Sequence, residues 1–312
     1  MNLAASIHQR LLNLARVRGA DFNLVLQRYA SERLLFRLAV SSDVDRFVLK
    51  GAALFLVWAG TEFRATRDVD LLASAPADHH ALRESFETIC TVTCDEDGLF
   101  FDPASIEIAD IREDQEYGGV RVKLRATLGT AILPLQVDIG FGDVITPERQ
   151  EAAYPTLLDQ PAPRLWTYPR ETSVAEKFET MVRRGQANSR IKDFWDVAAL
   201  ARHFAFDGET LSSAIEETFR RRETSLGAEL PDALRPAFFE DATRIRQWEA
   251  FQRSVDAAID VPARFGGAGE IVRAFLGPIR ESLAAGEPFT STWPVGGPWA
   301  RGSRIAGGTS GI

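Results

Sequence analysis

One nearly uninterrupted apolar segment, Ile132 to Phe141, constrains the fold of this chain more than any other feature. Gln136 and Asp138 break the apolar run, which is otherwise typical of a strand that is buried on both faces of a sheet. We therefore expect a sheet that helices cover. Asp138 itself needs an explanation, because a lone ionised carboxylate in such a strand is costly unless it is paired or binds a metal ion.

The strand before this segment has a different pattern. Apolar and basic residues alternate there with a period of two, which is typical of a strand with one exposed face: Val120, Val122 and Leu124 against Arg121, Lys123 and Arg125. Residues 3–17 and 21–40 have helical periodicity, and Ala52 to Ala59 resembles a buried helix. Together these elements predict an α+β fold with a mixed sheet flanked by helices.

The second half of the chain is predicted to be helical. A Pro-rich connection at 147–169 leads into helices that run to about residue 284, and the tail that follows has a Gly-, Ser- and Pro-rich composition typical of disorder. We expect three regions. They are a core with N-terminal helices at 1–160, a mostly helical C-terminal domain at 161–285 and a disordered tail at 286–312.

The composition is that of a globular protein. With 45% hydrophobic residues the chain has enough apolar material for a substantial core. No apolar run reaches the roughly 18 residues of a membrane span, and the N-terminus lacks the pattern of a signal peptide. We therefore expect a cytoplasmic protein that is not bound to a membrane. Cys90 and Cys94 have no neighbouring partners for a zinc site and are expected to be ordinary thiols.

The net charge of −8 argues against indiscriminate binding of nucleic acid. Two groups of basic residues have two explanations each: a local surface that binds nucleic acid, or an ordinary solvated surface. The two basic groups are Arg183, Arg184, Arg190 and Lys192, and Arg220, Arg221 and Arg222.

Three carboxylates are the candidate catalytic and metal-binding groups. Asp68 and Asp70 are two residues apart in a predicted strand, so both side chains should leave the same face. Neighbouring carboxylates repel unless a cation offsets their charge. If the strand with Asp138 lies alongside, the three acids form an oxygen-only site suited to Mg²⁺. The alternative is that Arg64 and Arg67 pair with the first two acids at the surface.

Such a site is suited to phosphoryl transfer. Two Mg²⁺ ions can bridge the attacking oxygen, the α-phosphate and the leaving pyrophosphate. In this scheme Asp68 and Asp70 hold both ions and the triphosphate, and Asp138 completes the ion at the attacking hydroxyl. The turn at Lys50 and Gly51 is placed to offer backbone N–H groups to the triphosphate.

The motifs around these residues resemble those of the AbiEii-type nucleotidyltransferase toxins, within the polymerase-β nucleotidyltransferase superfamily. Motif order and spacing agree over roughly residues 40–205. The matching segments are Phe47–Gly51, Arg64–Leu71, the strand of Asp138, Tyr154–Leu158, Tyr168–Glu171, Ala175–Lys177 and Arg190–Asp196.

The resemblance implies a polymerase-β-type core followed by a helical domain. It implies that Lys177 and Asp193 belong to the catalytic site, and that Arg64, Thr66 and Lys177 help to bind the nucleotide. It also implies a toxin that transfers nucleotides from a nucleoside triphosphate (NTP) to the 3′ end of tRNA. Independently of the resemblance, we expect a monomer. A cognate antitoxin would be its protein partner.

Two alternatives to this function stay open. One is a nucleotidyltransferase with a small-molecule acceptor such as an antibiotic, and the other is a non-catalytic nucleotide-binding module. The chain also departs from the family pattern, since Ala52 and Ala53 follow Gly51 where the family has a second Gly and often a hydroxyl residue. This departure puts the choice of nucleotide in doubt, whereas the three acids are intact.

Overall fold

A computed structural model of the chain forms two compact units, each described by itself below. The first contains the residues up to Asp143 together with Glu148–Pro169, and the second contains Val144–Pro147 and the chain from Arg170 onward. The first unit thus extends beyond the expected boundary at residue 160. The structure describes residues 3–301 except 62, 65, 67, 75–77, 95, 112–117, 228, 254 and 256–258.

In its described residues the first unit combines four helices with one mixed sheet. The helices are α1 (Leu3–Arg18), α2 (Phe22–Val40), α3 (Leu54–Ala59) and α4 (His79–Thr91), with 3-10 turns at Val44–Arg46 and Gly51–Ala53. The strands are β1 (Phe47–Lys50), β2 (Val69–Ala73), β3 (Leu99–Ile111), β4 (Gly119–Leu128), β5 (Ala131–Phe141), β6 (Gln150–Ala153) and β7 (Arg164–Thr167).

The strands follow the order β3-β4-β5-β2-β1-β7-β6 across the sheet. The pairs β2–β5 and β1–β7 are parallel and the other pairs are antiparallel. The expected mixed sheet flanked by helices is therefore confirmed. The Pro-rich segment 147–169 is not only a connection, because β6 and β7 lie within it and extend the sheet beyond β1.

The two faces of the sheet differ in character. Alternate residues of β4 such as Val122 are buried on the face contacted by α1, α2 and α4. The opposite face, which carries Arg121, Lys123 and Arg125, is called the outer face below. The prediction that β5 is buried on both faces is wrong at its start, since Ile132 is 66% exposed on the outer face. Strand residues alternate between faces, so covering one face leaves every second side chain free to meet solvent.

The second unit is mostly helical, as expected. Its helices are α5 (Arg170–Arg184), α6 (Ile191–His203), α7 (Gly208–Arg221), α8 (Pro236–Phe239), α9 (Ala242–Gln252) and α10 (Phe265–Ala285), with 3-10 turns at Gly185–Ala187 and Asp232–Leu234. No helix in the described part of either unit is long and apolar enough to cross a lipid bilayer.

The tail predicted to be disordered over 286–312 is ordered in its described part, residues 286–301. Strand β9 (Thr292–Trp293) pairs with β8 (Phe206–Asp207). The indole of Trp293 is buried and donates a hydrogen bond to the backbone oxygen of Ala201 at 2.7 Å. Burial of this large aromatic ring stabilises the segment in an ordered conformation, although its Gly- and Pro-rich composition predicts disorder. Residues 302–312 lie outside the described residues.

Candidate active site

A row of charged side chains crosses the outer face of the first unit. Parallel pairing of β2 with β5 sets Asp70 opposite Asp138, and antiparallel pairing of β1 with β2 sets Lys50 opposite Asp70. On the other side, Arg121 of β4 is opposite Asp138. Residues that are opposite each other in a sheet share a face and are neighbours. Across the sheet, the order of charges is therefore cation, carboxylate, carboxylate, cation.

Gly51 makes room for the Asp70 carboxylate. Its φ is +75°, and a Cβ atom at this position would lie 2.7 Å from Cγ and 2.8 Å from Cβ of Asp70. The left-handed backbone and the close approach both favour glycine. The glycine directly after β1 therefore lets the Asp70 carboxylate lie against the turn that follows Lys50. The predicted binding of a triphosphate by the Lys50–Gly51 turn stays a prediction.

Lys50 is held by a residue that the sequence reasoning missed. Its Nζ donates a hydrogen bond to Oδ2 of Asp143 at 3.1 Å and lies 5.1 Å from the centre of the Tyr168 ring. Both side chains of the ion pair are mostly buried. Asp143 comes two residues after β5, and its only signal in the sequence is that position at the end of the strand.

Arg121 binds Asp138 through two hydrogen bonds, from Nε to Oδ1 at 2.8 Å and from Nη2 to Oδ2 at 2.7 Å. The hydrogen bond to Asp138 raises the pKa of Arg121 above its usual value, and the charges of Asp68 and Asp70 raise it further. All three predicted acids therefore act on one guanidinium group. The sequence pattern predicts Arg121 to be an exposed strand residue, and only its position opposite Asp138 reveals the ion pair.

Asp68 departs from its predicted position in a strand. It lies one residue before β2 and is exposed, so it does not share the strand geometry of Asp70. The hydroxyl of Thr66 donates to the backbone oxygen of Asp68 at 3.2 Å. Thr66, Arg64 and Asp68 line a small enclosed cavity together with Ala52 and Ala53.

This cavity brings two of the predicted nucleotide-binding residues, Arg64 and Thr66, next to the Ala52–Ala53 departure from the family pattern. Their role in binding a nucleotide stays a prediction. Arg67, which the alternative explanation pairs with the acids, lies outside the described residues.

The donor chemistry of the row fits Mg²⁺. Asp70 and Asp138 supply carboxylate oxygens from adjacent strands. The Arg121 guanidinium, which binds Asp138, shows that a positive charge is favourable at these acids. Within the described residues, however, no three His, Cys, Asp or Glu side chains are grouped closely enough to hold a metal ion. The two-ion site therefore stays a prediction.

Lys177 and Asp193 form an ionic cluster in the second unit. The Lys177 ammonium donates to Asp193 Oδ1 at 3.0 Å and to Asp196 Oδ2 at 2.7 Å, and Arg190 Nε donates to Asp193 Oδ2 at 2.7 Å. Burial by itself would raise the pKa of Asp193, but Lys177 and Arg190 lower it below its usual value. Asp193 is thus ionised, and both acids are paired with cations inside the unit. Their predicted part in catalysis stays a prediction.

Several arginines of the two basic groups are engaged in ion pairs. Arg222 Nη1 and Arg183 Nε lie 2.7 and 2.9 Å from the buried carboxylate of Glu179, and Arg220 pairs with Glu217. Because acids of the same unit offset these charges, the groups are weaker candidates for a nucleic-acid surface than their sequence suggests.

Comparison with known proteins identifies the family. No curated protein matches the chain. Two similar solved structures come from Helicobacter pylori: a candidate nucleotidyltransferase, and JHP933. Each is 14% identical with a TM-score of 0.46, over 84% of this chain and 97% and 94% of the respective neighbour. The profile of the nucleotidyl transferase AbiEii toxins, a type IV toxin–antitoxin system, matches residues 33–265. The chain therefore belongs to the AbiEii nucleotidyltransferase toxin family.

Proposed function

We propose that this chain transfers a nucleoside monophosphate from an NTP to an RNA acceptor, in a reaction that depends on Mg²⁺. Membership of the AbiEii family supports the nucleotidyl transfer. The observation that carries the metal dependence is the register of β2 and β5, which sets Asp70 directly beside Asp138 on the outer face. Two adjacent carboxylates in a sheet are destabilising by mutual repulsion and are suited to holding a hard cation.

In the proposed reaction the acceptor hydroxyl attacks the α-phosphorus, the bond to pyrophosphate breaks, and Asp138 takes the hydroxyl proton. When bound, Mg²⁺ supplies charge neutralisation for this in-line displacement. Asp70 and Asp138 would hold the ions, and Asp68 would contribute from its exposed position before β2. Lys50, fixed by Asp143, would lie beside the phosphates, where a point charge binds well.

Arg121 would act as the counter-charge of the metal-free site. Its two hydrogen bonds neutralise Asp138 and lower the repulsion with Asp70. A metal ion that binds these acids would compete with the guanidinium for the same oxygens. A displaced Arg121 would be available to the phosphate groups, which are the other strong partners of an arginine.

The family also supports the biological part of the proposal. A type IV toxin–antitoxin family implies a cognate antitoxin, and we propose that the RNA acceptor is the 3′ end of tRNA. Substrates of this kind would place the protein in the cytoplasm. The basic side chains beside Asp138 disfavour a polycationic antibiotic as the acceptor, because like charges would meet in the complex.

The test incubates the purified protein with each labelled triphosphate, Mg²⁺ and total cellular RNA. We expect label in a tRNA-sized band, lost with a chelator and in Asp70→Asn. The matched control is Asp159→Asn, which changes a fully exposed carboxylate of the same unit and should keep the activity. No labelled product in the presence of an active control enzyme, or full activity of Asp70→Asn, would overturn the proposal. Growth arrest on expression, relieved by Asp68→Ala, tests the toxin role separately.

A further inference from the structure

Beyond the row that contains Asp138, the outer face of β3, β4 and β5 continues as further rows of cross-strand neighbours. Pairing of β4 with both of its neighbours defines these rows, and a register shift in β3 separates the first from the second. From the Asp138 end outward they are Glu107, Lys123 and Gln136; Asp102, Arg125 and Pro134; and Phe100, Thr127 and Ile132.

The centre of this surface is basic. The exposed side chain of Lys123 makes no ion pair within the described residues, although Glu107 lies opposite it in β3. The side chain of Arg125 is 59% exposed and lies 3.6 Å from Asp102. Successive outward side chains of one strand are about 6.8 Å apart. That spacing is close to the separation of neighbouring phosphates in an extended single strand of nucleic acid.

The far end of the surface is apolar. Phe100 and Ile132 are 62% and 66% exposed, and they flank Thr127 in one row. An exposed aromatic ring on a sheet that also carries basic side chains is the arrangement with which proteins stack unpaired bases. Exposed apolar groups next to cations are therefore better explained by a ligand than by folding.

A cavity joins the basic centre of this surface to Asp68 of the candidate active site. It has a volume of about 600 Å³, within the usual range for ligand sites. Its lining runs from Asp68 through Gln136 and Lys123 to Arg125 and Pro134. A chain whose end lies at the carboxylates can thus continue along β4 without leaving the surface of the first unit.

We propose that the outer face of β3, β4 and β5 binds the single-stranded 3′ end of the RNA acceptor. The terminal hydroxyl lies at Asp138, phosphates further back contact Lys123 and Arg125, and an unpaired base stacks on Phe100. This inference rests on the proposed function for the identity of the acceptor. The binding surface itself is independent of whether transfer occurs, and neither basic group of the second unit is part of it.

The test measures binding of a labelled eight-nucleotide single-stranded RNA by fluorescence anisotropy, without metal or triphosphate. Lys123→Ala/Arg125→Ala should weaken binding at least tenfold and reduce the slope of log affinity against log salt by about two. Phe100→Ala should weaken it by about tenfold, and this loss should disappear with a fully paired duplex. The control is Arg16→Ala/Arg18→Ala, which removes two exposed charges from α1 of the same unit and should have little effect.

Equal losses in the β4 variants and the α1 control would overturn the proposal, as would full affinity of all variants. Stronger binding of single-stranded DNA than of RNA would also overturn it. All of these side chains are exposed, and a thermal unfolding measurement on each variant checks that it is folded. Asp70→Asn separates the two proposals, because it should bind the RNA as the wild type does and transfer nothing. RNA binding without transfer by the wild-type protein contradicts the proposed function alone. Transfer by the wild type with unchanged RNA binding in the Lys123, Arg125 and Phe100 variants contradicts the acceptor surface alone.

Discussion

Substitution of Gly51 tests how closely the turn after β1 is coupled to the acid row. Gly51→Ala adds one methyl group at a residue whose φ is +75° and whose Cβ position is within 2.8 Å of the Cγ and Cβ atoms of Asp70. Gly60→Ala is a matched control. Its φ is +69°, it ends α3 in the same unit, and an added Cβ meets no heavy atom within 4 Å.

Both substitutions place an alanine in a left-handed backbone conformation, but only the added methyl group of Gly51→Ala overlaps Asp70. A left-handed conformation costs an alanine about 1–2 kcal/mol relative to glycine. Carbon atoms make favourable contact at about 3.5–4.0 Å, so Asp70 must move by about 1 Å in Gly51→Ala. Such overpacking costs typically about 1–3 kcal/mol. We therefore expect losses of about 1–2 kcal/mol for Gly60→Ala and about 2–5 kcal/mol for Gly51→Ala.

The assay is urea denaturation of the wild-type protein and both variants, combined with calorimetric titration of Mn²⁺ as a probe for Mg²⁺. Gly51→Ala should be the less stable variant and should bind the ion at least several-fold more weakly, because the Asp70 carboxylate is displaced. Gly60→Ala should bind it as the wild type does. Equal stability losses in the two variants would refute the inferred overlap, and unchanged ion binding in Gly51→Ala would refute the coupling to Asp70.

Three further predictions address charged groups elsewhere in the two units. Burial raises the pKa of Glu32 to about 7, so the folded state holds this proton more tightly than the unfolded chain. The resulting stabilisation, about 3 kcal/mol, is present below about pH 4.5 and is lost as the pH rises through about 7. Urea denaturation across this pH range should show this change in the free energy of unfolding in the wild type and not in Glu32→Gln. Lys177→Met should lower the free energy of unfolding, measured in urea, by about 3–5 kcal/mol, because it leaves buried Asp196 without its ammonium partner. Adding Asp196→Asn should restore much of this stability. An unchanged stability of Lys177→Met would contradict a stabilising ion cluster. Arg121→Gln should strengthen Mn²⁺ binding, measured by calorimetry, about tenfold, because it removes charged hydrogen bonds that compete with the ion for Asp138. Weaker Mn²⁺ binding would show instead that Arg121 assists the metal ion.

The sequence by itself determined the class of fold and the family. Alternation along β4 and the apolar run of β5 predicted two strands of a sheet flanked by helices, because side-chain direction in a strand follows from position alone. The motifs around Asp68, Asp70 and Asp138 indicated the family, and the match over residues 33–265 confirmed it. Such features are local or depend on motif order, and a single sequence displays them directly.

Other features depended on which strands become neighbours. Parallel pairing of β2 with β5 set Asp70 beside Asp138, and pairing of β4 with β5 converted Arg121 from an ordinary exposed residue into the partner of Asp138. Likewise, β7 joined the sheet although Pro residues surround it, and a buried Trp293 ordered a segment whose composition indicated disorder. Contacts between distant segments decide each of these outcomes, and local propensity does not contain that information.

The acid row shows this division most clearly. The sequence supplied its carboxylates and the glycine that lets the chain approach Asp70. Tertiary structure supplied the order of charges, because register across four strands fixes which cation faces which acid. It also placed Asp68 just outside β2 rather than within it, and it extended the outer face from Asp138 to Phe100. The chemistry was thus visible in the residue types, whereas their geometry arose only when the sheet assembled.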